Sequence, residues 1–175
     1  MSNKILGPVM QVSYLVRDLD DAINHWAAKM NVGPFFVLDH VSYDEFYYRD
    51  HPSDVDMAVA IAYSGNIQIE LVRQHNEAPS IFQDFLKAHG EGMVHLGATT
   101  DDLAQDLAAL EQKGIKPVQH GRASNGTLFA YVETDFHPGA LMELVELSPS
   151  LEKGFAVMRQ AAQDWDGKTA IAHRR

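Results

Sequence analysis

One strand-to-helix pattern occurs twice in the chain, once in each half. A run of apolar residues that contains Gln11 leads into an acidic helix start, and a second run that contains His95 does the same. The polar residue lies seven positions before an aspartate in both copies, Asp18 in the first and Asp102 in the second. Asp18 can cap a helix, because a short side-chain oxygen accepts hydrogen bonds from the free N–H groups of the first turn. The repetition predicts an internally duplicated chain.

The remaining patterns extend the duplication, since each half reads as a strand, a helix and three further strands. We therefore expect an α+β fold in which residues 1–175 form one domain with two βαβββ modules. The modules span residues 8–78 and 91–147, and a short helix within residues 79–90 connects them. Residues 148–175 add a C-terminal helix near 150–165, and we expect the last ten residues to be mobile.

Charge and composition limit the partners. A net charge of -10 argues against nucleic acid or an anionic membrane, because both repel an acidic surface. The chain has no cysteine, and neither a signal-peptide pattern at Met1 nor a run of membrane-spanning length is present. We expect a soluble cytoplasmic protein that acts on a small molecule.

The least regular segment covers residues 39–54 and is rich in Asp, Tyr and His. One interpretation is a surface excursion with some strand content. The other is a flap over a substrate cleft, where amphipathic aromatic side chains often lie. The sequence leaves both interpretations open.

Four polar side chains occupy matching places in the two halves. Gln11 and His95 are on the opening strands, and Glu70 and Glu143 are on the closing strands, where alternation turns Glu70 away from Ile67, Ile69 and Leu71. If the two sheets face each other, these four side chains meet in one cleft and offer donors that suit a divalent cation. The alternative is a core histidine with glutamates on solvated strand faces, which is what we expect for Glu146.

Several motifs resemble the vicinal oxygen chelate superfamily, which includes glyoxalase I, bleomycin-resistance proteins, extradiol dioxygenases and methylmalonyl-CoA epimerase. The resemblance covers residues 8–147 and is strongest at 11–22, 67–72, 90–97 and 141–145. It implies two βαβββ modules whose curved mixed sheet encloses a metal ion. Position by position, it places the metal ligands on Gln11, Glu70, His95 and Glu143.

The pattern also departs from individual branches of that family. Epimerases usually have histidine at the position of Gln11 and often a second one at Val94, whereas the zinc-using glyoxalase I branch has glutamine in the first place. Zinc is therefore the first choice of metal, with nickel, cobalt, manganese or iron(II) as alternatives. Leu15 and Glu91 occupy the positions of the arginines that hold glutathione in glyoxalase I, so glutathione is a poor fit.

The resemblance implies a metal-dependent isomerase or lyase that removes a proton α to a carbonyl, in the manner of an epimerase and possibly on a CoA thioester. Glu143 is the first candidate for the base and Glu70 the second. Candidates for the complementary acid are Tyr47, Tyr48, Asp54 and Asp56. An extradiol-type dioxygenase and a non-catalytic binding protein of the bleomycin-resistance type are the alternatives. We also expect a homodimer, in which apolar residues of the C-terminal helix bury area.

Overall fold

In the computed structural model, which describes residues 7–133 and 141–175, one curled mixed sheet runs through both halves of the chain. The elements described in the first half are β1 (Val9–Leu15), α1 (Leu19–Met30), β2 (Phe35–Leu38), β3 (Tyr43–Tyr48), β4 (His51–Pro52), β5 (Met57–Ser64), β6 (Ile67–Gln74) and α2 (Ile81–His89). Those of the second half are β7 (Gly92–Thr100), α3 (Leu103–Glu111), β8 (Pro117–Ala123), β9 (Leu128–Glu133), β10 (Leu141–Glu146), α4 (Pro149–Gln163) and β11 (Ile171–Arg174).

The two halves have the same internal strand order. The first contributes β1-β6-β5-β2 and the second contributes β7-β10-β9-β8, and antiparallel pairing of β1 with β7 joins them at the middle of the sheet. In both halves the opening strand pairs in parallel with the closing strand. The predicted α+β class with a curved mixed sheet and a C-terminal helix is confirmed.

Helix α1 shows how the sequence assigns the two faces of the sheet. Asp18 caps it by accepting a hydrogen bond from the Asp21 N–H, and its buried Ile23 packs in a cluster with Ile69 and Leu71 of β6. Because side chains alternate along a strand, Glu70 lies on the opposite face of β6. None of the helices in the described ranges is long and apolar enough to cross a membrane.

An insertion between β2 and β5 departs from strict duplication. Strands β3 and β4, residues 43–52, form a hairpin that pairs with β8 of the second half rather than with its own module. We call this hairpin the flap. The segment that looked least regular in the sequence therefore forms strands at the far end of the sheet.

The C-terminal residues also join the sheet. Strand β11 pairs in parallel with β2, where the Phe35 N–H donates to the Ala170 carbonyl at 2.8 Å. The Arg174 guanidinium contacts Asp39 at 2.9 Å and Asp20 at 2.8 Å. The expectation that the last ten residues are mobile was wrong. A short polar segment gives no local sign that it pairs with a strand more than a hundred residues earlier in the chain.

Deleting residues 170–175 should lower the melting temperature by on the order of 5 °C, because β2 keeps β5 but loses β11 and becomes an edge strand. The control is Arg174→Ala, which keeps the backbone pairing and removes ion pairs that are worth roughly 0–1 kcal/mol at a surface. Differential scanning calorimetry of both variants measures the contrast. Equal melting temperatures for the deletion and the intact chain would contradict the role of β11.

Candidate metal centre

Three oxygen atoms converge on one histidine nitrogen in the interior of the curled sheet. His95 Nε2 lies 3.1 Å from Gln11 Oε1, 3.3 Å from Glu70 Oε2 and 3.4 Å from Glu143 Oε2. The four side chains that the sequence singled out as ligands are therefore brought together. They come from β1, β6, β7 and β10, the four strands at the centre of the sheet.

Strand register explains why the two glutamates meet. In the parallel pair β1·β6, Glu70 is level with Ser13, and in the parallel pair β7·β10, Glu143 is level with Gly97. Ser13 follows Gln11 by two positions and Gly97 follows His95 by two. Each glutamate is thus placed at the same offset from the polar residue of its own module, as duplication requires.

The antiparallel pair β1·β7 provides the room for these side chains. Gln11 lies opposite Gly97, and His95 lies opposite Ser13, so each large polar residue faces a small one. A Cβ atom added to Gly97 would lie 2.6 Å from Gln11 Oε1, which is closer than atoms can approach. Glycine at this position is required by the neighbouring glutamine.

The cluster is buried. Glu70 and Glu143 are only 7% and 8% exposed, so the alternative of solvated strand faces does not apply to them. Glu146 differs, because it is half-buried and its carboxylate accepts a hydrogen bond from the Leu103 N–H at the start of α3. Two buried carboxylates without a positive charge nearby would be costly, since desolvation of an ion is expensive.

His95 supplies a positive charge when it is protonated. Burial lowers its pKa, but hydrogen bonds and charge interactions with Glu143 and Glu70 outweigh burial and raise the pKa to about 9. One proton on Nε2 can satisfy only one acceptor well, whereas three oxygens face this atom. The Glu70 Oε2 atom is buried without a conventional hydrogen-bond partner.

This donor set fits a divalent cation in its chemistry. Gln11, Glu70, His95 and Glu143 would offer a dication three oxygens and one nitrogen, and the two carboxylates would cancel its charge. Among the residues described, however, Glu70, His95 and Glu143 do not form a group in which one ligand atom of each lies within 4.8 Å of the others. These residues would therefore have to move closer together to hold one ion.

A chain of hydrogen bonds orients the Gln11 amide. The Gln11 Nε2 donates to Gln68 Oε1 at 3.0 Å, and the Gln68 Nε2 donates to the Tyr63 hydroxyl at 2.7 Å. Because the amide nitrogen is engaged on this side, the Gln11 oxygen points at His95. Sequence reasoning missed Gln68 and Tyr63; Gln68 shares the alternating face of Glu70, which was the available signal.

An apolar cavity of about 170 Å³ lies above the cluster. Gln11, Glu70 and Glu143 line it, whereas the His95 side chain has no exposed surface and lies beneath. The remaining walls are mostly aromatic and aliphatic, and they include Tyr43, Phe46, Phe82, Phe129, Tyr131, Leu151 and Phe155. A small molecule in this cavity would contact both carboxylates from an apolar pocket.

Two additions to the duplicated frame, the flap and helix α4, form part of the cavity wall. The flap contributes Tyr43 and Phe46, which supports the interpretation of residues 39–54 as a flap over a cleft. Helix α4 contributes Leu151 and Phe155 from the other side. The C-terminal helix that we expected to bury area in a dimer therefore packs partly on its own chain.

Two phenols face the carboxylates, that of the buried Tyr131 and that of the partly buried Tyr43. Burial first, and then the charges of Glu143 and Glu70, raise the pKa of both Tyr43 and Tyr131. Both remain neutral and can donate a proton or a hydrogen bond. Tyr131 is also level with Glu143 on the neighbouring strand β9, and its ring packs edge-on against His95 with centroids 5.1 Å apart.

The acids suggested by the sequence lie elsewhere. Tyr48 donates to Asp84, Tyr47 stacks on His120, and Asp56 contacts His40 at 2.7 Å. Asp54, like these three, is not among the described residues that line the cavity. Sequence proximity to the flap pointed to the right segment. Alternation alone would put Tyr43 and Tyr47 on one face, but an irregularity in the β3·β8 register between Tyr43 and Glu45 changes the phase, so that Tyr43 lines the cavity and Tyr47 does not.

The positions assigned to glutathione anchors hold no cation. Leu15 is 2% exposed and packs in the hydrophobic core. Glu91 is exposed and accepts a hydrogen bond from the Arg17 N–H at 2.6 Å. Neither residue can hold a carboxylate of a ligand.

Tyr63→Phe should weaken zinc binding roughly ten-fold, because residues that orient a ligand typically contribute this much to metal affinity. The variant removes the hydroxyl that holds Gln68 and so frees the Gln11 amide to turn. Competition with a chromophoric chelator measures the affinity. Tyr14→Phe, on a residue whose ring packs on Trp26, is the matched control and should bind zinc as the intact chain does. Equal affinities for both variants would refute the orienting role.

The metal-free protein should lose stability as the pH rises. The folded pKa of His95 is raised from 6.5 to about 9, so its stabilisation is fully present below pH 6.5 and is lost as the pH rises through 9. Relative to His95→Gln, the loss should be on the order of 3 kcal/mol. Urea unfolding with a chelator present, from pH 6 to pH 10, measures it. Parallel pH profiles for the two proteins would show that His95 is not coupled to the glutamates.

Comparison with known proteins places this geometry in a family. The family model described as "Glyoxalase/Bleomycin resistance protein/Dioxygenase superfamily" matches residues 10–131. No protein with a curated function matches the chain.

Three solved structures have a similar fold. Methylmalonyl-CoA epimerase from Mycobacterium tuberculosis superposes with a TM-score of 0.61 at 22% identity, covering 87% of this chain and 96% of that one. A hypothetical protein from Bacillus halodurans gives 0.57 at 16% identity, covering 81% and 94%. A Streptomyces coelicolor methylmalonyl-CoA epimerase variant in complex with 2-nitronate-propionyl-CoA gives 0.55 at 20% identity, covering 82% and 99%. At these identities the likeness concerns the fold, and the family model, which matches more than half of the chain, identifies the protein as a member of the glyoxalase/bleomycin resistance protein/dioxygenase superfamily.

Proposed function

We propose that the protein is a metal-dependent isomerase or lyase that removes a proton α to a carbonyl group. The observation that carries this proposal is the convergence of Gln11, Glu70 and Glu143 oxygens on the buried His95 nitrogen at the floor of an apolar cavity. A buried carboxylate pair facing an apolar pocket is costly for folding, which favours a role in chemistry.

Gln11, Glu70, His95 and Glu143 would hold the ion, with zinc as the first choice and nickel, cobalt, manganese or iron(II) as alternatives. A bound divalent ion acts as a Lewis acid that polarises a substrate carbonyl and so acidifies the neighbouring C–H bond. The Gln11 amide, oriented through Gln68, would be the weakest of the four ligands because it carries no charge.

Glu143 is the proposed base, with Glu70 as the alternative. Its carboxylate lines the cavity, lies on the strand next to Tyr131, and can take the α proton of a substrate in that space. In an epimerisation the proton must return on the opposite face, which requires a second group. Tyr43 and Tyr131 are the candidates, because both phenols stay protonated beside the carboxylates.

The cavity suggests what part of a substrate it can hold. About 170 Å³ accommodates a small acyl group, and among the described lining residues none is Lys or Arg. We therefore propose a substrate whose reacting part is small, apolar and carbonyl-bearing. Similar structures were solved with CoA thioesters; a thioester here would place only its acyl end inside and leave the nucleotide outside the cavity.

Two other classes remain as alternatives with clear discriminators. An extradiol-type dioxygenase would consume oxygen in the presence of iron(II), and a site with one histidine does not favour it. A non-catalytic binding protein is favoured by the apolar aromatic walls, and it would bind a small apolar ligand without exchanging any of its protons. We further propose a cytoplasmic homodimer; exposed apolar side chains such as Val9, Met93 and Val157 support an interface.

Glu143→Gln should lower α-proton exchange with deuterated water at least a hundred-fold, because a general base typically contributes that much or more. The variant keeps the shape and an oxygen ligand, so some metal binding should remain. NMR of a panel of small acyl thioesters and α-substituted ketones measures the exchange. Glu146→Gln, on the same strand but outside the cavity, is the control and should exchange normally.

Full exchange by Glu143→Gln would move the base to Glu70. A more severe outcome concerns the metal: an intact chain that stays metal-free after incubation with zinc, nickel, cobalt, manganese and iron(II) would refute the proposed enzyme class. Elemental analysis of the dialysed protein measures this.

Turnover of methylglyoxal with glutathione should be negligible, because Leu15 and Glu91 offer no cation to the carboxylates of glutathione. Formation of the thioester product, followed by its ultraviolet absorbance with each metal in turn, measures the activity. Efficient turnover would contradict the conclusion that Leu15 and Glu91 prevent glutathione binding, and it would make glyoxalase activity the preferred proposal.

A further inference from the structure

A second group of potential ligands lies outside the cavity, where the flap leaves the sheet. It consists of His40, Asp56 and His75, which we call the flap-base cluster. His40 precedes the flap, Asp56 follows it, and His75 comes directly after β6. Three segments that are distant in sequence thus bring two imidazoles and one carboxylate to one place.

The distances in the flap-base cluster are close to those of a metal site. One ligand atom from each residue lies within 4.8 Å of the other two. His40 Nδ1 and Asp56 Oδ1 are 2.7 Å apart, and the two imidazole centroids are 5.0 Å apart. Tetrahedral zinc with bonds of 2.0–2.2 Å places its ligand atoms about 3.4 Å from each other. Side-chain shifts of about 1 Å are therefore sufficient to surround one ion.

A backbone carbonyl fixes the tautomer of the neutral His75 ring. Its Nε2 atom lies 2.9 Å from the Asp39 carbonyl oxygen, which can only accept a hydrogen bond. The proton of the neutral ring is therefore on Nε2, and the lone pair is on Nδ1. Histidine ligands in metal sites commonly donate their other N–H to a carbonyl or carboxylate in this way, which sets the ring orientation.

Backbone contacts hold the three segments together without an ion. The His75 N–H donates to the Asp56 carbonyl at 2.8 Å, and the Val41 N–H donates to the Met57 carbonyl at 2.8 Å. The Asp56 N–H also donates to Asn76 Oδ1 at 3.3 Å. Ligand positions that are fixed beforehand reduce the entropy cost of binding.

We propose that the flap-base cluster is a second divalent-cation site, suited to zinc, that fastens both ends of the flap to the end of β6. The His40 and Asp56 side chains are 70% and 38% exposed, which leaves open coordination positions to water. The entering ion displaces the proton that His40 Nδ1 shares with Asp56, and this proton leaves to solvent. No other bond changes.

The site has a structural consequence for the cavity. The flap supplies Tyr43 and Phe46 to the cavity wall, and its two ends are the segments that His40 and Asp56 belong to. An ion that joins these ends to β6 restricts the movement of the flap. This role does not depend on the chemistry proposed for the central cluster.

Zinc stoichiometry tests the proposal directly. The full-length chain, dialysed against zinc at a concentration close to its own and analysed for metal, is compared with His40→Ala/His75→Ala. The double variant should lose one ion per chain. The matched control is His25→Ala/His89→Ala, which removes two exposed histidines from helices α1 and α2 and should lose none. Equal zinc content of the intact chain and the flap-base variant would overturn the proposal.

The central variant His95→Ala separates this inference from the proposed function. If it keeps the ion that His40→Ala/His75→Ala loses, the flap-base site holds whatever the central cluster does. If the intact chain binds a single ion and that ion is lost only with His95→Ala, the flap-base site is refuted while the proposed function stands.

A readout on the intact protein guards against variants that fail to fold. Zinc should shift the ring ¹⁵N resonances of His40 and His75 and leave that of His25 in place. Amide hydrogen exchange in residues 43–52 should slow when zinc is added, also in His95→Ala. Unshifted His40 and His75 resonances, or shifts that require a large excess of zinc, would overturn the site.

Discussion

Parallel pairing of the closing strand with the opening strand is the constraint on which the candidate site depends. β6 beside β1 sets Glu70 level with Ser13, and β10 beside β7 sets Glu143 level with Gly97. The antiparallel pairing of the two opening strands then places each of these small residues opposite a large polar one. Because strand side chains alternate, a one-residue shift in either parallel pair would turn its glutamate to the outer face and empty the cluster.

This geometry buries the negative charges of Glu70 and Glu143, and the side chains around them compensate these charges only in part. Two carboxylates less than 10% exposed require a positive charge, and the raised pKa of His95 shows that a proton can provide it. The proton on His95 Nε2 can form one good hydrogen bond, whereas three oxygens lie near this nitrogen. A divalent ion, as proposed, would satisfy all of them in place of the proton.

The two βαβββ modules and the C-terminal helix could be predicted from the sequence, whereas the strand partners of the flap and of β11 could not. The matching phases of Gln11 and His95, with period-two alternation at Glu70, are local signals that survive in a single chain. The inward turn of Tyr43, the pairing of the flap with β8, and the return of β11 to β2 depend on contacts between remote segments. The pattern of neighbouring residues in the sequence does not indicate which remote segment a strand will contact. Tyr131 was missed for a related reason, since its role comes only from being level with Glu143.

The flap and α4, rather than the two βαβββ modules, determine what the cavity can admit. Without the flap and α4, the concave sheet would present the polar cluster to open solvent. Phe46 of the flap and Phe155 of α4 line the cavity of about 170 Å³. In an apolar space that is partly shielded from water, electrostatic interactions with a reacting group are stronger than in water. The volume of the cavity limits the size of the group that can enter it. Selectivity for a substrate therefore depends on the positions of the flap and α4. An ion bound at the flap-base cluster would affect specificity by fixing the flap, without contacting the reacting atoms.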